Sequence, residues 1–425
     1  MITKFAKGLS KKTVGLYVHF PFCSLRCPYC DFPVVVGKAD DAYLKELKKE
    51  LKVLESLDIN IDTIYFGGGT PSACPRYLEE ALNSVLKSSK ATSDLEFSVE
   101  SNPEDFKSPS WLAFLKHFKP RISVGVQALN DDVLSALGRR HSAKEGLEAI
   151  EKASKLGLNN INADFILGVG VCKNRHVGSE INLVANFVNH ISAYYLNIEP
   201  GTFFFEKGEF KNRIASPNHL AYREISNAWE ALCNFGFAQY ELSNWARPGF
   251  QCVHNIKYWT HKPVLGFGVG AVSFLKVPDG GVRLFNVKSL TDYNKRQVKT
   301  AYVELLSKFD LRREKLLLDL RMCKKITLPS YTIEQLKTRN WEKIGIVELS
   351  EATLRVTRKG LFHLDYIYNV IQDALDSVPS SELEGRAMIK PFSDVEAVAR
   401  PSRTSSREAR KKPIASTLFL HSSAK

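Results

Sequence analysis

The sequence predicts an α/β protein: a partial (β/α)6 barrel followed by a smaller α+β region that resembles a winged helix. Three observations predict it. Strand-like and helix-like segments alternate through about residue 198. Cysteines, glycines and charged residues fall just after the strand segments, where parallel sheets carry their functional groups. After residue 210 the rhythm changes, and the order becomes helix, helix, hairpin.

Taken in order, residues 13–20 read as a strand that runs into a cysteine-bearing loop. Residues 41–57 read as a helix, with Leu44, Leu47, Leu51 and Leu54 on one face at helical spacing. Strand 62–66, helix 76–86, strand 95–100 and helix 111–118 follow. Strand 121–127 leads to helices at 131–137 and 143–156. Strand 160–167, helix 181–190 and strand 193–198 complete the alternation. Residues 237–274 are rich in glycine, aromatic residues and asparagine. Helices are expected at 303–322 and 332–339, a hairpin at 347–349 and 354–356, and a closing helix at 358–374. Three domains are therefore expected: a core over 1–236, a C-terminal region over 237–377, and a tail over 378–425. The tail is rich in Ser, Pro and Arg and reads as disordered.

The chain has 425 residues, 44% of them hydrophobic, enough to bury a sizeable core. It has no run of eighteen apolar residues, so no transmembrane helix is expected. The basic start, residues 1–12, lacks the apolar stretch of a secretory signal, and the few residues before Tyr17 are short for a transit peptide. Eight cysteines show no paired framework; Cys74, Cys172, Cys233, Cys252 and Cys323 are scattered. A reducing cytoplasm is the expected compartment. Net charge is +13, and Arg400, Arg403, Arg407, Arg410, Lys411 and Lys412 contribute to it. A solvated tail accounts for that cluster better than an acidic partner, and nucleic acid is not an expected ligand.

The chemistry is concentrated first in Cys23, Cys27 and Cys30, spaced C-x3-C-x2-C. Structural zinc takes four ligands, and an electron-transfer [4Fe-4S] cluster takes four cysteines. Three thiolates leave one iron of such a cluster open to a small molecule; zinc with a distant fourth ligand is the other reading. Strand 62–66 ends in Gly67-Gly68-Gly69-Thr70, which lets backbone approach a ligand closely, as a tight turn also would. Glu100, Gln127, Arg139 and Asp164 add polar groups after later strands. Singly each reads as a cap or a surface charge; together they suit a zwitterionic ligand. Finally, Cys252-Val-His254-Asn255-Ile-Lys-Tyr258-Trp259 sets a histidine among aromatics, a pattern met in packed cores and in heme ligation alike.

In order and spacing these motifs resemble the coproporphyrinogen dehydrogenase-like (HemN/HemW) family of radical S-adenosylmethionine (SAM) proteins, from about Tyr17 to Trp259. The resemblance implies a [4Fe-4S] cluster on Cys23, Cys27 and Cys30, with SAM chelating the open iron. It implies SAM contacts at Tyr17, Tyr29, Gly68, Gly69, Thr70, Glu100, Gln127, Arg139 and Asp164. No catalytic residue is assigned. His-Asn-x-x-Tyr-Trp is similar to a heme-binding motif of the family's heme chaperones, which implies heme at His254, with Cys252 a second candidate.

Three features favour the chaperone branch. The oxidase pattern carries a further cysteine where Phe32 stands, its N-terminal arm has little counterpart before Tyr17, and the histidine motif is present. Two elements depart from the family: Gly168-Val-Gly-Val-Cys172 replaces Gly-Leu-Pro-Gly-Gln, and Val269 and Val272 replace Pro and His in a later glycine element. The expected function is heme transfer to an acceptor protein, such as a membrane-bound respiratory enzyme, with a homodimer admitted. The alternatives are oxidative decarboxylation of coproporphyrinogen III and, from another class, nucleic-acid binding through the winged-helix-like region.

Overall fold

A computed structural model describes residues 2–5, 9, 12–208 and 218–376. We number the strands of its main sheet in chain order: β1 (Lys12–Phe20), β2 (Ile59–Gly68), β3 (Lys90–Ser101), β4 (Arg121–Gln127), β5 (Ile161–Leu167) and β6 (His190–Tyr195). Then come β7 (Ala238–Glu241), β8 (Asn244–Ala246), β9 (Val264–Phe267), β10 (Val272–Val277), β11 (Gly280–Asn286) and β12 (Thr300–Ser307). They lie in the order β12-β11-β10-β9-β1-β2-β3-β4-β5-β6-β8-β7. From β9 through β6 every neighbouring pair is parallel, and the strands beyond them on either side are antiparallel.

The parallel strands are largely buried on both faces, as a covered parallel sheet requires, although β3 is buried only over 98–101. β4 and β5 have no exposed residue. Helices cover the sheet through amphipathic faces. The helix Asp41–Leu51 buries Leu44, Leu47 and Leu51, and Asp40 accepts a hydrogen bond from Ala42 N at its start. It then tightens into a 3-10 turn, Lys52–Ser56, which ends the segment expected as one helix. The helix Ala143–Lys155 opens on a capping box of Ser142 and Glu145.

Several expectations need correction. The helix expected over 181–190 is Val177–Val184, and the strand expected over 193–198 is His190–Tyr195. The segment expected as a helix over 303–322 is half strand: β12 ends at Ser307 and the helix is Lys308–Arg321. Asp310 turns the chain there, its carboxylate accepting from both Ser307 N and Ser307 Oγ. A boundary at 236 was expected, yet β7 and β8 extend the sheet past β6, while β9 to β12 extend it past β1. The chain instead divides into compact units after Leu311. The second unit, described to residue 376, holds a three-stranded antiparallel sheet in the order Ile326–Thr327, Thr353–Val356, Val347–Leu349. Its helices include Ser330–Lys337 and Leu364–Asp376, with Ile333, Leu336, Leu354, Ile367 and Ile371 buried. The expected tail lies outside the described residues.

Candidate functional site: a cysteine pocket over a polar barrel interior

β1 delivers the chain to the cysteine loop. Phe22–Cys23 pairs in parallel with Val35–Val36, which pins the two ends of the loop together. Cys23, Cys27, Tyr29 and Cys30 line one pocket that opens to solvent, together with Gly68, Gly69, Thr70, Asn102 and Arg139. The glycines make that proximity feasible. Gly69 donates its N–H to Phe20 O (2.6 Å), and a Cβ there would lie 2.6 Å from Phe22 O. Gly68 has φ +109, and a Cβ there would lie 2.4 Å from the His19 ring. The Glu100 carboxylate secures this turn by accepting from Gly68 N (3.0 Å) and from the Tyr65 hydroxyl (3.2 Å).

A hydrogen-bonded chain runs around the pocket wall. Thr70 Oγ1 lies 3.3 Å from Cys23 Sγ and accepts from Asn102 Nδ2 (3.1 Å). Arg139 donates from Nη2 to Asn102 Oδ1 (2.8 Å) and Gly125 O (3.0 Å), and from Nη1 to Cys27 Sγ (3.5 Å). Burial pushes the Cys30 thiol up to about 12, so ligation there displaces a firmly held proton. Among the described residues no three His, Cys, Asp or Glu side chains are gathered ready around one point. The thiols share a pocket wall without being drawn together.

The remaining expected residues sit deeper. Tyr17, midway along β1, is buried beside Tyr65, and its hydroxyl lies 3.0 Å from His19 Nδ1. Asp164 lies mid-strand in β5 rather than at its end, accepting from Ser123 Oγ and Asn162 Nδ2 at 2.8 Å each. Burial raises its carboxyl to about 7. Gln127 closes β4 with φ +60, a left-handed conformation that costs a non-glycine residue energy. Its side chain is fully buried, and neither amide atom has a hydrogen-bond partner. A buried amide with both ends unsatisfied is costly unless a ligand completes it.

His254 is built differently. It lies in the short helix Val253–Trp259, whose first amides, Val253 N and His254 N, donate to the Glu96 carboxylate at 2.9 Å each. Its ring is 1% exposed, with Nδ1 2.8 Å from Thr63 Oγ1 and Nε2 3.1 Å from the Tyr258 hydroxyl. The ring also stacks on Tyr65 at 5.2 Å. Burial, with Lys257 and Arg121 nearby, lowers its pKa to about 3. In this conformation both ring nitrogens have partners, so ligation of an iron would displace Thr63 or Tyr258. Cys252 is fully buried, and its thiol is pushed up to about 12 by that burial.

Two features carried no assignment from the sequence. Asn102 follows Glu100 by two positions, and only Glu100 was singled out. Arg175 pairs with Glu180 (2.7 Å) and donates to Ile166 O, while Glu224 accepts from Gly168 N. This buried group fixes the loop after β5 where the chain departs from the family pattern; Glu224 comes from a helix remote in sequence, so no local signal marked it.

The radical SAM superfamily model matches residues 17–173. A Bacillus subtilis protein named heme chaperone HemW is 32% identical over 287 residues, 65% of this chain and 74% of that protein. The chain belongs to the HemN/HemW family of radical SAM proteins. A second family relative, the Danio rerio protein named radical S-adenosyl methionine domain-containing protein 1, mitochondrial, is 31% identical over 395 residues, 84% of this chain and 86% of that protein. Among solved structures, Escherichia coli coproporphyrinogen III oxidase (HemN) aligns with a TM-score of 0.71 and 20% identity, over 85% of this chain and 90% of that one. At that identity the likeness shows the shared fold.

A radical SAM domain implies a [4Fe-4S] cluster and SAM. The residues present fit both. Three thiols line one pocket, glycines whose Cβ atoms would collide adjoin it, and the Gln127 amide is left without partners in the interior. Among the described residues no helix is long and apolar enough to cross a membrane.

Proposed function

We propose that the chain is a heme chaperone of the HemW kind, which binds heme and passes it to an acceptor protein. The observation that carries this reading is the match to the protein named heme chaperone HemW, of which the chain covers 74%. Phe32, standing where the oxidase pattern has its further cysteine, supports it. Cys23, Cys27 and Cys30 hold the cluster. Gly68, Gly69 and Thr70 receive the amine of SAM, and Arg139 its carboxylate. Tyr17, Tyr29, Glu100, Gln127 and Asp164 supply the remaining polar and aromatic contacts. When bound, the cluster supplies an electron and an iron with open coordination.

Heme is cargo in this reading, and a membrane-bound respiratory protein is a fitting acceptor. His254 becomes a ligand only if one of its ring nitrogens gives up its partner, Thr63 or Tyr258, while the other keeps its hydrogen bond. The test is a heme titration by absorbance on anaerobically reconstituted protein, with coproporphyrinogen III turnover followed in the same preparation. Stoichiometric heme uptake without decarboxylated product supports the chaperone. Product formation with release of 5′-deoxyadenosine overturns it in favour of the oxidase.

A further inference from the structure

Asn102 stands between two of the three pocket thiols, and its side chain has only one orientation that satisfies its neighbours. Arg139 Nη2 can only donate, so Oδ1 must face it at 2.8 Å. Nδ2 is then turned to Thr70 Oγ1 at 3.1 Å. Thr70 Oγ1 thus receives a proton from Asn102, and its own single proton is available for Cys23 Sγ at 3.3 Å. Once Cys23 is a thiolate it has no proton of its own to give, and the hydroxyl is the donor. On the other side, the guanidinium held by Asn102 and Gly125 O directs Nη1 at Cys27 Sγ.

The backbone of Asn102 is fixed as well: its N–H donates to Asp105 Oδ2, which also accepts from Ser72 Oγ. Gly125 leaves room for the amide, since a Cβ there would lie 3.3 Å from Asn102 Oδ1. Thr70 is 5% exposed, so its hydroxyl has little competing water.

We propose that Asn102 is a positioning residue that sets the direction of the donor groups on Cys23 and Cys27, and thereby the reduction potential of the cluster those thiolates hold. The inference rests on the cluster assignment above. Donors to ligand sulfurs stabilise the more negative, reduced state of a cluster, so losing one lowers the potential. Asparagine is specific for this arrangement. An aspartate at 102 accepts from both Arg139 and Thr70, which turns the Thr70 proton away from Cys23.

The test is a redox titration monitored by electron paramagnetic resonance on the reconstituted full-length chain, with iron and sulfide counted in every sample. Asn102→Asp and Thr70→Val are expected to retain iron and to titrate at lower potential than wild type, whereas Thr70→Ser titrates like wild type. If both Asn102→Asp and Thr70→Val keep full iron and the wild-type midpoint, the proposal is overturned. Should Asn102→Asp fail to assemble a cluster, Thr70→Val alone decides, since it removes the hydroxyl and leaves Asn102 in place. A wild-type chain whose iron does not depend on Cys23, Cys27 and Cys30 overturns the cluster assignment itself, a result distinct from an unchanged midpoint.

Discussion

His254→Ala is the substitution most exposed to misreading, because it removes a candidate heme ligand and a structural support together. The ring holds Thr63 Oγ1 at 2.8 Å and the Tyr258 hydroxyl at 3.1 Å. Thr63 is fully buried, so truncation leaves its hydroxyl without water or partner. An orphaned buried hydroxyl costs about 1–3 kcal/mol. Tyr258 is only partly buried and regains some solvent, and the lost stacking on Tyr65 adds about 1 kcal/mol. The sum is about 3 kcal/mol, or roughly a 150-fold change in a local opening equilibrium. This cost falls on protein that has never met heme.

Hydrogen exchange of the 253–259 amides in heme-free protein measures it directly, without assuming that a chain of two compact units unfolds in one step. The variant is expected to exchange about a hundredfold faster there, and the second unit at its wild-type rate. The acid limb gives an independent check. The folded pKa is held down at about 3, against an ordinary value near 6.5. Stability from the neutral ring is therefore fully present above about pH 6.5 and is lost as pH falls through about 3. His254→Ala lacks that limb. Exchange of 253–259 at the wild-type rate, with the same acid dependence, would refute the reasoning and return His254 to the role of a spare ligand.

Three further outcomes are expected. Cys23→Ser, Cys27→Ser and Cys30→Ser each abolish bound iron after reconstitution, while Cys233→Ser, at an exposed position, leaves it intact; iron per chain is the readout. Gly68→Ala forces φ +109 on a residue with a Cβ and drives that Cβ into His19. It should weaken SAM binding by about tenfold or more in calorimetry, in line with a strain of roughly 1–3 kcal/mol. Asp164, raised by burial to about 7, contributes stability that is fully present below its unfolded value near 3.8 and lost as pH rises through about 7. Its share of that loss is at most ~4 kcal/mol, and Asp164→Asn should flatten it in urea midpoints followed from pH 5 to 9.

What the sequence made legible follows from how locally each feature is specified. β4 was expected to the residue, because Ile122, Val124 and Val126 alternate with other residues between a helix end and Asn130. The cysteine loop was legible because ligand spacing is written in consecutive positions. β12 was not: Tyr302 and Leu305 are exposed there although apolar, and without alternation the segment merged with the helix after it. The depth of Asp164 was hidden for a related reason, since a buried acid on a parallel strand looks the same in sequence as one at its rim.

The two asparagine- and histidine-centred networks were illegible for a stronger reason. Their chemistry lies in partners brought together only by the barrel: Thr63 and His254 are 191 positions apart, and Cys27 and Arg139 are 112. A motif names residue types and intervals, and those intervals are equally compatible with a histidine facing a ligand and one facing a threonine. The hydroxyl supplied by β2 separates the two. It engages Nδ1 while Tyr258, from the motif itself, engages Nε2, so the aromatic residue that suggests porphyrin packing is the one closing the ring off from iron. A bond from His254 to iron would therefore displace Tyr258 if formed through Nε2 and Thr63 if formed through Nδ1.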